Sequence, residues 1–142
     1  MQIDKKEKLL LDTHVWIWLL NGDRQNLNAG ILSALTAAGG SGLLRVSAIS
    51  LWEVAMLEAK GRIHIKMDCL DWLNAALSAP GVSLVPLTPE IAVSSAQLPG
   101  EFHGDPADRI IVATARIIDA LVVTRDRRIT SYASQGYVRI LA

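Results

Sequence analysis

Short, unbroken apolar runs alternate along this chain with longer stretches in which apolar residues return every three or four positions. The short runs are Leu9-Leu10-Leu11, Leu43 to Ser47, Val82 to Leu87, Ala120 to Thr124 and Tyr137 to Leu141. Each has strand length, and the lack of polar alternation predicts burial on both faces, as in a parallel sheet. Pro86 places the third run at a strand end or a sheet edge, because proline donates nothing to a ladder.

The intervening stretches predict helices. One covers Thr13 to Leu20, closed by Asn21-Gly22, and a second covers Asn28 to Ala38, ending at Gly39-Gly40-Ser41-Gly42. A third opens at Ser50 and stops near Gly61. A fourth runs from Met67 to Ala79 before Pro80-Gly81, and a fifth from Thr88 to about Leu98. After a loop from Pro99 to Gly104, Asp105 suits an N-cap, Pro106 the first helical position and Asp108 the third. Ile110, Ile111, Ala113, Thr114, Ile117 and Ile118 give that helix a wide apolar side. A short helix from Arg127 to Ala133 precedes the last strand. No repeat or low-complexity tract interrupts the alternation, which argues for a three-layer α/β/α fold with a central parallel sheet. A length of 142 residues suits one domain, 1–142.

Composition narrows the function. Apolar residues make up 51% and charged residues 20%, which excludes a disordered chain. The formal net charge is zero, so a polyanion would have to be met by a local basic patch or a bound cation. Cys69 is the single cysteine; it excludes an internal disulfide and a cysteine zinc site, and reads as core filler. Lys5, Lys6 and Lys8 before Leu9 superficially suit a secretory signal. Asp12 and His14 break the apolar run, however, no small-residue cleavage site follows, and Val15 to Leu20 is too short to span a bilayer. The expected location is the cytoplasm.

The acids carry the chemistry. Asp12 follows the first strand, Glu53 falls early in the helix after the second, and Asp126 follows the fourth. Asp105 and Asp108 open the helix before the fourth strand. Open α/β sheets place their sites at this edge. Residues three apart share a helix face, so Asp105 and Asp108 can point the same way. Helix N-termini keep carboxylates ionised, yet several in one pocket repel. Mg²⁺ or Mn²⁺ relieves that repulsion, because hard cations prefer oxygen ligands, and such an ion activates water against a phosphodiester. Each acid also has a plain structural role open to it. Asp105 with Asp108, and Ser50-x-x-Glu53, both fit a capping box, while Asp12 and Asp126 fit caps or turns.

Other residues say less. His14 suits packing or capping, and His64 and His103 lack ligand spacing with it. Trp16, Trp18, Trp52 and Trp72 read as core, since all sit in apolar helices. Arg125, Arg127 and Arg128 beside Asp126, with Arg109 beside Asp108, offer either a solvated face or a phosphate-steering patch.

Four blocks together resemble the PIN domain, and within it the VapC-type toxins of bacterial toxin–antitoxin pairs. They are Leu9-Leu10-Leu11-Asp12-Thr13-His14, Ser47-x-x-Ser50-Leu51-Trp52-Glu53, His103-Gly104-Asp105-Pro106-Ala107-Asp108-Arg109, and Thr124-Arg125-Asp126. Each is weak alone; in this order they are specific and span nearly the whole chain. The resemblance implies a PIN-like α/β fold and a Mg²⁺- or Mn²⁺-dependent endoribonuclease. It further implies an RNA substrate, inhibition by a cognate VapB-like antitoxin, homodimerisation and no membrane. It carries the metal-site acids onto Asp12, Glu53, Asp108 and Asp126, with Asp105 as an additional acid and Thr13 and Thr124 as supporting residues. Ala107 stands where many relatives carry Phe, and the N-terminus is a few residues longer. The neutral chain and acidic pocket also suggest an antitoxin that inserts Arg or Lys near the acids and packs an apolar segment around Trp16 and Trp52.

Two rival phosphoryl-transfer classes are poorly matched. A haloacid-dehalogenase-like site wants an acid two residues after Asp12, where His14 stands, and a phospho-receiver wants a late lysine, yet none follows Lys66. An inactive PIN-like module that acts through protein or RNA association is the remaining alternative.

Overall fold

The computed structural model describes residues 6–142; Lys5, one of the three N-terminal lysines noted above, lies outside them. Five strands, β1 (Leu9–Leu11), β2 (Leu44–Ser47), β3 (Val82–Val85), β4 (Leu121–Val123) and β5 (Ile140–Leu141), form one sheet in the order β3-β2-β1-β4-β5. Every pairing is parallel, with Leu9 opposite Leu44 and Leu121, and Leu44 opposite Val82. Seven helices fill the connections: α1 (Thr13–Leu20), α2 (Ala29–Gly40), α3 (Ala48–Ala59), α4 (Cys69–Leu77), α5 (Pro89–Ala96), α6 (Pro106–Ile118) and α7 (Arg127–Ser134). None of them is long and apolar enough to cross a membrane.

The unbroken apolar strands are explained by burial on both sides. In β1, Leu9 and Leu11 enter one core with Trp16, Leu35, Val54 and Trp72, while Leu10 enters the other with Ile111, Val122 and Ile129. Strand residues alternate faces, so an all-apolar strand needs helices above and below it. That gives the three layers. Truncating a fully buried member such as Ile111 to alanine would cost about 2–5 kcal/mol.

The chain moves outward from β1 through β2 to β3, then returns to place β4 on the other side of β1. The order therefore reverses between β1 and β4, and a crevice opens at the carboxyl ends of those strands. β3 is an edge strand and stops at Val85, as Pro86 requires.

Several boundaries differ from the expected ones for local reasons. α3 begins at Ala48, and its cap is Ser47, whose hydroxyl accepts from the Ile49 N–H. β2 thus passes into α3 with no loop, Ser50 lies inside the helix, and the Ser50–Glu53 capping box does not form. α4 begins at Cys69 with Asp68 as cap, two residues later than Met67. α2 continues through Gly39-Gly40, despite the low helix propensity of glycine, before Gly42 turns with φ 72°. β5 is shorter than the Tyr137–Leu141 run. The tryptophans divide: Trp16 and Trp72 are core and meet edge-on at 5.4 Å, Trp18 is half-buried, and Trp52 is 58% exposed. Cys69 is half-buried against the first core, as filler should be.

Candidate active site

Asp12 is placed first. Its N–H donates to the Val123 carbonyl at 3.0 Å, extending the β1–β4 ladder to the point where α1 starts. Its side chain caps α1: Oδ1 accepts from the Thr13 N–H at 2.8 Å. Oδ2 accepts from the Thr124 hydroxyl at 2.7 Å, across the β1–β4 crevice. Thr124 in turn accepts the Asp126 N–H at 2.9 Å, so one buried hydroxyl links Asp12 to the turn that carries Asp126. Asp126 caps α7, taking the Arg128 and Ile129 N–H groups at 2.8 and 3.0 Å.

Glu53 reaches the same crevice from α3. The Thr13 hydroxyl donates to its Oε1 at 2.5 Å and lies 2.8 Å from the Ser50 hydroxyl. A hydroxyl has one hydrogen, so with Thr13 donating to Glu53, Ser50 donates to Thr13. Ser50 is fully buried and supports Thr13 from within α3, although its spacing to Glu53 also fits a capping box.

The α6 pair completes the set. Asp105 is exposed and caps α6, accepting the Asp108 N–H at 2.8 Å. Asp108 is half-buried, and its carboxylate accepts no hydrogen bond from the described residues.

Electrostatics show that the five acids share one field. Burial raises the Asp12 carboxyl above its usual range; the Thr124 and Thr13 bonds and His14 oppose that, and Asp126 adds to it. Burial also raises Glu53, against the Thr13 bond and together with Asp12 and Asp105. Asp108 is pushed up to about 8, first by burial and then by repulsion from Asp105, Asp12, Asp126 and Glu53. Among the described residues no three acids, histidines or cysteines are already drawn into a chelating cluster. Repulsion keeps the carboxylates apart, and caps and hydroxyls engage several of their oxygens. The donor set nevertheless fits a hard divalent cation: every available group is oxygen, no sulfur intrudes, and one repelled carboxylate has no donor of its own.

The arginines separate. Arg109 donates to the Ser95 and Phe102 carbonyls at 2.9 and 2.8 Å. These two bonds hold the α5–α6 connection through Nε and Nη1. Arg127 and Arg128 are exposed beside Asp126, as is Arg125, which also donates to the Asn26 carbonyl at 3.1 Å.

Known proteins resemble this chain in sequence and in fold. The PIN domain family model matches residues 9–135. Ribonuclease VapC22 of Mycobacterium tuberculosis is 39% identical over 124 residues, covering 87% of this chain and 91% of that protein. Among solved structures, DNA-bound VapBC from Salmonella typhimurium matches with a TM-score of 0.68 at 18% identity, covering 95% of this chain and 97% of the other. VapBC2 from Rickettsia felis, bound to a promoter DNA fragment, matches at 0.67 and 15%, covering 94% and 96%. FitAcB from Neisseria gonorrhoeae matches at 0.63 and 24%, with 94% and 96% covered.

Proposed function

This chain belongs to the PIN-domain family as a VapC-type ribonuclease, and from that premise we propose that the acids around Asp108 form its RNA-cleaving centre. It is an endoribonuclease of the toxin type, held in check by a VapB-like antitoxin. Ribonucleases of this family depend on a metal; Mg²⁺ or Mn²⁺ is our assignment here. We read residues 1–142 as one domain, and an RNA target suits a cytoplasmic protein.

The observation that supports this reading most directly is Asp108, pushed up to about 8 by burial and four neighbouring carboxylates, with no donor of its own. Asp12, Glu53, Asp108 and Asp126 would hold the cation, with Asp105 at the rim. When bound, a divalent ion supplies water activation and charge neutralisation at the phosphate. The protein contributes orientation. Thr124 fixes the Asp12 carboxylate, and Thr13, held by Ser50, fixes Glu53. Asp126 and Asp105 are aimed by the helix N-termini they cap. Exposed Arg125, Arg127 and Arg128 attract the RNA backbone to an otherwise acidic mouth.

The antitoxin inserts a basic side chain among the acids, where it takes the place of a cation. Its apolar segment cannot pack on Trp16, which is wholly buried; exposed Trp52, beside Glu53 on α3, is the anchor that remains. The decisive test is cleavage of a mixed RNA pool by the antitoxin-free protein. Cutting with Mg²⁺ or Mn²⁺ and none in EDTA is expected, with Asp108→Asn inactive. Full cutting in EDTA would overturn the metal centre.

A further inference from the structure

We propose that the cavity beside Thr124 is a subsite for one unstacked RNA base next to the scissile phosphate, read by the side-chain amides of Gln25 and Asn28. This rests on the reading of the acid crevice as the cleavage centre.

The cavity, about 360 Å³, lies between the α1–α2 connection and the β4–α7 turn. That volume falls in the range of built ligand clefts. Thr124 lines it and donates to Asp12, so the cavity and the acid crevice share a wall. Val15, Leu27 and Ile31 form its apolar floor, packed into the first core and almost wholly buried. Gln25 and Asn28 stand at the polar side. The Gln25 side chain bonds to none of the described residues. Asn28 uses only its carbonyl oxygen, to cap α2 through the Ile31 N–H at 2.8 Å, which leaves its NH₂ group available.

The backbone that carries these two side chains is held in place. Asp23 accepts the Gln25 and Asn26 N–H groups at 3.0 and 3.2 Å and the Asn26 side-chain amide at 2.8 Å. Arg125, from the Asp126 turn, donates to the Asn26 carbonyl at 3.1 Å and ties this connection to the acid side. A rigid loop loses less freedom on binding. An amide matches the paired donor and acceptor on a base edge. Single-stranded RNA is read in this way, with bases splayed out of the stack. No aromatic ring lines the cavity, so base-indifferent stacking is absent and hydrogen bonding decides the preference.

Two measurements on the full chain test this. First, an RNA pool is cleaved with Mn²⁺ and the new ends are sequenced. The wild type should favour one base beside the cut by about tenfold. The double variant Gln25→Ala, Asn28→Ser, in which serine preserves the α2 cap, should bring the four bases to within about twofold while still cutting. Second, AMP, GMP, CMP and UMP are titrated in EDTA while the Gln25 and Asn28 side-chain amide resonances are followed. One nucleotide should shift both resonances more than the others. An unchanged preference in the double variant, a wild type with no preference, or unmoved amides would overturn the subsite and leave the nuclease reading intact. A wild type that cuts no RNA but whose amides shift would overturn the nuclease reading and leave the base subsite standing.

Discussion

Replacing Asp108 by asparagine should make the metal-free protein more stable at alkaline pH while abolishing cleavage. Asn keeps the shape of the side chain and removes the charge that Asp105, Asp12, Asp126 and Glu53 oppose. A rise from 3.8 to about 8 corresponds to about 6 kcal/mol of repulsion and desolvation if unscreened. Asp108 is half-exposed, and solvent on its open side reduces this to about 2 kcal/mol. A carboxyl with a raised folded pKa binds its proton more tightly in the native state. It therefore favours folding at acid pH, and that advantage is lost as pH climbs from the unfolded value near 4 to about 8. The assay is urea unfolding of wild type and Asp108→Asn in EDTA at pH 4 and pH 9. The two should lie closest at pH 4, where the carboxyl is protonated in the native state and about half protonated in the unfolded one. At pH 9 the variant should be about 2 kcal/mol more stable, or about 6 °C higher in Tm. Added Mn²⁺ should then stabilise the wild type more than the variant, because it binds the folded acids. Parallel pH curves for the two proteins would refute the claim that these carboxylates share one field.

Three other changes probe the supports. Thr124→Val removes the hydroxyl that lowers Asp12, so Asp12 stays protonated to a higher pH and the acid limb of the kcat/KM profile moves upward; a stationary limb would contradict the Thr124–Asp12 link. Gly81→Ala brings a Cβ to 1.9 Å from the Gly39 carbonyl oxygen at φ 86° and should destabilise by about 3 kcal/mol or more, whereas a normal urea midpoint would show that the α2–β3 approach is looser than described. Trp52→Ser should leave stability within about 0.5 kcal/mol, because the ring is exposed, yet release the antitoxin about tenfold faster; unchanged dissociation kinetics would move the docking surface elsewhere.

The fold was legible because the sheet is buried on both faces. Leu9-Leu10-Leu11 and Leu121-Val122-Val123 are apolar at every position, a pattern that a half-solvated sheet does not tolerate. Strand ends were less legible: Leu87 continues an apolar pattern past the end of β3, Tyr137 and Val138 begin one ahead of β5, and pairing is decided by neighbours. The acids of the crevice were legible from their place after strands, but their partners were not. Ser50 pointed equally to a cap and to the interior, and only the register of α3, set by Ser47, decides between them. Trp52 misled because an apolar helix face does not say whether the protein itself or another chain covers it. The structural role of Arg109 was not legible, because the Ser95 and Phe102 carbonyls that it bonds come from α5 and the loop after it and are brought to it only by the fold.

Capping and the proposed metal binding are compatible roles for these acids. In a parallel α/β sheet every helix that follows a strand begins at the same edge, so its N-cap lies where ligands bind. Asp12 and Asp126 cap helices that follow strands, and Asp105 caps the helix that leads back into β4, so all three carboxylates sit at the positive ends of their helices. Their aspartates are therefore expected to tolerate asparagine better than alanine in stability, since Asn still caps. Glu53 has a different compensation, the Thr13 hydroxyl donated to it from α1. Asp108 has neither a cap to make nor a donor to accept from, and sits where four negative neighbours converge. Its ionised form opposes folding until a cation or a proton arrives. A residue whose charge the fold alone would not select is the one through which metal binding and stability are coupled.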